Sequence, residues 1–524
     1  MQKKIRNPIL PGFNPDPCIL RVENIYYIVV SSFEWLPGVR VYESTDLVNW
    51  NYCTDILTHQ VHLQGNPINC SIWAPQLSYS DGKFHLLYTD VKSSQRPFKD
   101  CHNYLISSSS VKGPWSEPIY LNSNGFDPSL FHDKDGKKWI SNALWDYRID
   151  TPNKSSGIVI QEYSPIEKRL IGEPKKIFDY TDLGKTEAPH LYQKDGFYYL
   201  MLAEGGTGSG HSVTMARSKN VLGPYEVDPQ YPMMTSSQNP EAELQCAGHA
   251  SLLETPKGEW YIVHLATRPL KGQFAILGRE TALQKVYWDE QGWLRLDHKG
   301  TVPAMEVPVP KGFIGEIKKK QTDFHDDFNS AILKSNWNSL RMMVDEQWCS
   351  LKDRKGYLRL YGGESPHSLF RHHLIGIRQT DFHFRAETAI EFTPTNFLQM
   401  AGLLLFLNPE NYIYAYITFE ENNRVLRVMN CKNGTHSLTD VKIDIPVEKG
   451  LPIQLEVNVN HEISEFYYRF SNQEQWKLVH EEKDITFLSG GFTGNFIGIA
   501  CHDMNQYKGS HADFEYFSYE GKDY

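Results

Sequence analysis

Three acids in this chain sit at, or one residue from, the same place in a repeated pattern. Asp16 opens Asp16-Pro17-Cys18-Ile19, Asp127 opens Asp127-Pro128-Ser129-Leu130, and Glu187 directly precedes Ala188-Pro189-His190-Leu191. Two more segments share the pattern, Ala74-Pro75-Gln76-Leu77 and His249-Ala250-Ser251-Leu252. Each has a small or polar residue, then Pro (Ala in the last copy), one further residue and an aliphatic. The copies start at positions 16, 74, 127, 188 and 249. Carboxyls gathered at one concave point push their pKa values apart, so that one stays protonated while another is ionised. Splitting a glycosidic bond uses such a pair: one acid protonates the leaving oxygen, and one carboxylate activates water or attacks the anomeric carbon. A third acid raises the pKa of the proton donor by like-charge repulsion. A lone Asp-Pro reads as a turn; three acids at or beside equivalent repeat positions read as a site. A cation such as Arg279 would bind sugar hydroxyls or hold a carboxylate ionised.

The elements that must carry these residues follow from the same repeat. An aromatic-rich apolar run comes shortly after each copy: Tyr26-Tyr27-Ile28-Val29, Phe84-His85-Leu86-Leu87-Tyr88, Trp139-Ile140-Ser141, Tyr198-Tyr199-Leu200-Met201 and Trp260-Tyr261-Ile262-Val263. The last four follow Asp81-Gly82, Asp135-Gly136, Asp195-Gly196 and Lys257-Gly258, which read as hairpin turns. Some four strands per copy, five times over, predict a five-bladed β-propeller with the equivalent positions around one axis. Pro17 disfavours helical backbone at the residue before it, so Asp16 is expected to be extended. Pro303, Pro308, Pro310 and Lys318-Lys319-Lys320 mark a linker. Beyond it, Ile413–Phe419 and Ile453–Val459 alternate in period two, and about 200 residues of this texture suggest a β-sandwich. The expected division is a catalytic propeller over 1–302, a linker over 303–323 and a sandwich over 324–524. Glu204-Gly205-Gly206-Thr207-Gly208 is glycine-rich but lacks the Lys-Ser/Thr of a phosphate-binding loop.

Composition narrows the partners. A net charge of −10 speaks against nucleic acid and anionic membranes and suits a neutral ligand. No apolar run is long enough to span a bilayer. The eight cysteines form no CxxC pair and match no zinc spacing. Met1–Pro8 is charged and no apolar core follows it. The chain is therefore read as cytoplasmic, with reduced thiols.

At this point the sequence resembles glycoside hydrolase family 43, in its β-xylosidase branch. The matching stretches include Gly12-Phe13-Asn14-Pro15-Asp16-Pro17, Phe33-Glu34-Trp35-Leu36-Pro37-Gly38, Ile72-Trp73-Ala74-Pro75, Lys99-Asp100-Cys101-His102-Asn103-Tyr104, Gly125-Phe126-Asp127-Pro128, Thr186-Glu187-Ala188-Pro189-His190, Cys246-Ala247-Gly248-His249, Leu277-Gly278-Arg279-Glu280-Thr281 and Gly490-Gly491-Phe492-Thr493-Gly494-Asn495-Phe496. The resemblance implies an all-β chain: a five-bladed propeller followed by a jelly-roll, lectin-like sandwich. It implies an inverting exo-β-xylosidase acting on xylo-oligosaccharides, with side activity on α-L-arabinofuranosides. Asp16 then corresponds to the general base, Glu187 to the general acid, Asp127 to the residue that tunes and orients the acid, and Arg279 to a substrate-contacting cation. Phe33, Trp73 and His249 correspond to walls of a single-sugar subsite. Phe492 or Phe496 corresponds to an aromatic lent by the second domain to the pocket mouth. Two departures stand out: Gln76 replaces an acid common after Trp-Ala-Pro, and the segment Arg268–Gln273 is short, which bears on the second-sugar subsite. Relatives form dimers or tetramers, and a homo-oligomer is expected. No cofactor or metal ligand is implied for catalysis; some members hold calcium at the axis near the equivalent of His249, and no Asp-rich calcium loop is present here. The competing readings are a primary α-L-arabinofuranosidase and a non-catalytic sugar-binding protein, the latter disfavoured because none of the three acids is missing.

Overall fold

The computed structural model describes residues 3–446, 452–505 and 509–523; the outermost ends of the two expected domains, Met1 and Tyr524, lie outside the described residues. No helix occurs among the described residues. Residues 18–296 form five antiparallel sheets in chain order, four of four strands and one of five. Their inner strands are Cys18–Val22, Ser71–Ser80, Gly125–His132, Glu187–Lys194 and Gln245–Glu254. These are the blades of the expected propeller. Both residues of Asp81-Gly82 and of Asp195-Gly196 have positive φ, the turn whose twist matches that of the flanking strands.

One irregularity recurs in every blade. Asp16, Ala74, Asp127, Ala188 and His249 all have left-handed backbones, with φ of 53°, 27°, 56°, 53° and 51°. In blades two to five the pairing register breaks at the same place, between Trp73 and Gln76, Phe126 and Ser129, Glu187 and His190, and Gly248 and Ala250. Such bulges re-aim a side chain at a sheet edge. The extended backbone expected for Asp16 is therefore wrong. The restriction that Pro17 imposes on its neighbour is overridden by the irregularity that recurs in every blade, since Ala74 and Ala188 precede prolines of their own and are left-handed too. A left-handed non-glycine residue costs roughly 1–2 kcal/mol, and strain of this kind gathers at functional sites.

The ring closes at a seam between the chain's start and its fifth blade. Leu10 bridges Thr281, Asn14 N–H donates to Arg279 O at 2.9 Å, and the Thr281 hydroxyl donates to Asn14 O at 2.6 Å. Asn7 donates to Leu283 O and Ala304 O, each at 2.9 Å. Within the segment expected as linker, the strand Glu306–Pro308 pairs with Lys4–Arg6.

The C-terminal part packs an eight-stranded sheet against a nine-stranded one, around a core that includes Trp337, Phe384, Leu403, Ile413, Val457 and Phe517. The nine-stranded sheet borrows its edge from the propeller: Trp35–Leu36 pairs with Asn338–Leu340. Trp35 also stacks on Phe496 with ring centroids 3.6 Å apart and planes at 16°. One apolar cluster runs from Phe13, Phe33 and Trp73 through Trp35 into Phe406, Tyr414 and Phe496, so the two parts share a core.

Candidate active site

The recurring bulge brings residues from all five blades to one end of the axis. Asp16, Phe33, Trp73, Asp127, Glu187, His249, Arg279 and Phe492 line a single cavity of about 150 Å³. Eight of the nine residues singled out in the sequence thus meet. The ninth, Phe496, does not: it is fully buried between Trp35 and Phe13. Phe496 opens a regular strand inside the shared core, whereas Phe492 lies in the loop after Gly490-Gly491 and is free to face the cavity.

Asp16 is a buried carboxylate held on both oxygens. Arg279 donates Nη1–H to Oδ1 at 2.7 Å and Nη2–H to Oδ2 at 3.3 Å, and Ser31 donates its hydroxyl to Oδ2 at 2.6 Å. His249 Nδ1 stands 3.7 Å from Oδ1. Burial alone would raise this carboxyl; Arg279, then His249 and Ser31, outweigh burial and hold it below its ordinary value. Arg279 is itself fixed, donating Nε–H to the Phe492 carbonyl at 3.1 Å. The second domain thereby orients the charge partner of Asp16.

Glu187 and Asp127 behave in the opposite way. Burial pushes Glu187 up to about 7 against the charge of Lys99, with Asp16 adding to the rise. Asp127 is also raised, by burial and then by Glu187 and Asp16. The two titrate as a pair: near neutrality they keep a proton that isolated carboxylates would have lost. The bulge explains why the pair is asymmetric. In blade three the left-handed residue is the acid, whereas in blade four it is Ala188 and the acid precedes it. The Ala188 N–H bonds to the Asp127 carboxylate, tying the two blades together.

Residues not singled out in the sequence complete the wall. The Lys99 ammonium lies 4.0 Å from the Trp145 ring centroid, 4.5 Å from Phe126 and 5.0 Å from Trp73. It is a cation in an aromatic cage; burial lowers its pKa, and Cys101, Glu187 and Asp127 only partly offset that fall. Lys99 lies between blade strands and has no counterpart in the other repeats, so spacing could not find it. Gly206 and Thr207 also line the cavity; the glycine-rich stretch is a rim of this site. Beneath it Glu204, fully buried, accepts hydroxyl hydrogen bonds from Thr181, Thr186 and Thr214 at 2.6, 2.6 and 2.8 Å.

The floor around His249 does not suit calcium. A hard cation takes six to eight oxygens, but Asp16 is already engaged by Arg279 and Ser31, and the neighbouring His211 and His190 offer nitrogen. Burial depresses both of these imidazoles to about 3. No chemical step is assigned to a metal here.

An ionised carboxylate with a fixed counter-charge facing a protonated acid pair, in a cavity walled by aromatic rings, can add water across an acetal. Comparison with known proteins settles the lineage. Residues 5–294 match Glycosyl hydrolases family 43, and residues 325–520 match the Beta xylosidase C-terminal Concanavalin A-like domain. The chain belongs to glycoside hydrolase family 43. It is 44% identical to a protein named Beta-xylosidase of Bacillus subtilis (strain 168), over 99% of this chain and 100% of that one. It is 41% identical to Xylosidase/arabinosidase 43B of Humicola insolens, over 98% of this chain and 97% of that one. The crystal structure of xylan beta-1,4-xylosidase from Bacillus halodurans C-125 superposes with a TM-score of 0.95 at 46% identity, covering 98% of this chain and 100% of that one. Membership in family 43 makes this chain a glycoside hydrolase.

Proposed function

We propose that this chain is a cytoplasmic exo-β-xylosidase that releases xylose from the non-reducing end of xylo-oligosaccharides with inversion. Water loses a proton to Asp16 and attacks the anomeric carbon. Glu187 passes its proton to the glycosidic oxygen, so the bond breaks with both fragments neutral. Asp127 keeps Glu187 protonated and aligned. The observation that carries this reading is the opposite tuning of the acids in one cavity, Asp16 held down by Arg279 and the Glu187–Asp127 pair held up by burial. A cavity capped by Phe492, with aromatic walls on several sides, favours one terminal sugar over the middle of a chain. The names of the relatives support xylosides as substrate, and the double name of the Humicola insolens protein supports side activity on α-L-arabinofuranosides. All eight cysteines are free thiols, which supports a reducing compartment.

Proton NMR of xylobiose hydrolysis tests the reading. Early α-xylose is expected, since inversion turns a β-linkage into the α-anomer. Early β-xylose would recast Asp16 as a nucleophile. No turnover of xylobiose alongside cleavage of an arabinofuranoside would make arabinofuranosidase the primary activity.

A further inference from the structure

The C-terminal domain carries a cluster that hydrolysis does not use. Among the described residues, one group of His, Cys and acidic side chains can close on a single ion: His367, Cys431 and His436, whose ligand atoms all lie within 4.8 Å of one another. The strands dictate the grouping. The strand Asn423–Lys432 turns back through Asn433 and Gly434, at φ of 50° and 75°, into Thr435–Leu438, a tight turn that fixes register. That register sets Cys431 opposite His436, and on the next strand Tyr412 opposite Cys431. Directly opposed residues share a face of the sheet. His367 reaches the same face from the loop after Tyr361. Its Nε2 stands 2.9 Å from His436 Nε2, and the Tyr412 hydroxyl stands 3.0 Å from that same nitrogen. Cys431 is buried and both imidazoles are exposed; the Cys431 thiol donates to the Glu410 carbonyl at 3.3 Å.

Hydrogen bonding alone serves His436 Nε2 poorly. A ring nitrogen of neutral imidazole either donates one proton or accepts at one lone pair, yet two partners converge on His436 Nε2. A cation among the three donors removes the conflict.

We propose that His367, Cys431 and His436 form a zinc-class metal site, with water or the Tyr412 hydroxyl as fourth ligand. Two imidazoles and a thiolate are a zinc donor set, with bonds of about 2.0–2.1 Å to nitrogen and about 2.3 Å to sulfur. Tetrahedral angles would put the two nitrogens about 3.3 Å apart, a few tenths of an ångström beyond their present separation, and His367 is on an exposed loop that can yield. The thiolate selects zinc over calcium or magnesium, and binding releases the thiol proton. The ion would fasten the His367 loop to the hairpin. The groove beside His367 is also lined by Asn69, Gly490 and Gly491, and Asn69 Oδ1 accepts the Phe492 N–H at 2.7 Å. The site thus backs onto the loop that presents Phe492, and its role is structural.

The test uses the full chain, stripped with a chelator and titrated with Co²⁺ or Zn²⁺ alone. One Co²⁺ per chain is expected, with the visible bands of tetrahedral cobalt and a near-ultraviolet thiolate-to-cobalt band, and Zn²⁺ should displace it and raise Tm. His367→Ala and His436→Gln, both at exposed positions, should each weaken uptake at least tenfold and remove the Tm gain, leaving basal hydrolysis unchanged. Cys431→Ser should abolish the near-ultraviolet band. Uptake that is undiminished in both histidine variants, as binding to the cavity carboxylates would give, overturns the site. So does a cobalt spectrum of six-coordinate oxygen type with no thiolate band.

Discussion

At the scale of single residues, the site is built from carboxyls that the fold treats differently. Glu187 keeps its proton because burial favours the neutral form, and that choice costs stability. A carboxyl whose folded pKa is raised binds protons more tightly in the folded state. Its contribution is complete below the unfolded value of about 4.3 and is lost as pH rises through the folded value. Glu187→Gln should therefore raise Tm at pH 8 while lowering xylobiose turnover by about 100- to 10,000-fold, the usual worth of a general acid. The loss should be much smaller for a nitrophenyl xyloside, whose leaving group needs little protonation. Differential scanning fluorimetry and paired kinetics check both arms; equal losses on the two substrates would remove Glu187 from the acid's role.

At the scale of elements, the inner-strand bulge is the device that matters, and the loops of the second domain are the finish. Asp16 and Asp127 were legible in the sequence because the bulge recurs with the repeat and takes its acids along. Glu187 was legible only as a neighbour of that position, since its blade places Ala188 there. The backbone of Asp16 was not legible, because the preference imposed by Pro17 is local and the ring is not. Lys99 lies in a stretch that carries the resemblance, yet nothing in the sequence gives it a role: a lone lysine between strands looks like any solvated charge until three aromatic rings close around it. Nor could spacing choose between Phe492 and Phe496, four residues apart at the start of a strand. Where the two domains meet beside the site, backbone touches backbone. A Cβ on Gly278, at φ +77°, would come within 2.6 Å of Gly494 Cα. Gly278→Ala should displace the Phe492 loop and with it the partner of Arg279 Nε. A KM for xylobiose raised at least severalfold and a lower Tm are expected; wild-type kinetics would show that the contact does not position the loop.

At the scale of the whole molecule, buried imidazoles set the response to acid. His372 and His373 are 1% exposed and His502 is fully buried, stacked into the C-terminal domain near its contact with the propeller. Burial depresses all three, His502 to about 4, as it does His190 and His211 below the cavity. Folded imidazoles with lowered pKa stay neutral while the unfolded chain takes up protons, so stability falls as pH drops from about 6.5 toward 4. Urea midpoints should be lower at pH 5 than at pH 7. An unchanged midpoint would mean that these rings accept protons without leaving the fold.

The seam of the ring gives Asp16, the proposed base, a second meaning. Asp16 belongs to the chain's beginning and Arg279 to the last blade, 263 residues later, and their ion pair lies across the join that Leu10, Asn14 and Thr281 zip shut. Four of the five junctions between blades are bridged by a continuous chain; this one is held by non-covalent bonds, and among them is the pair that holds the Asp16 carboxyl below its ordinary value. On the proposed mechanism a ring that breathes open there would lose its base before any blade had unravelled, and closure of the circle and readiness to react would be one event.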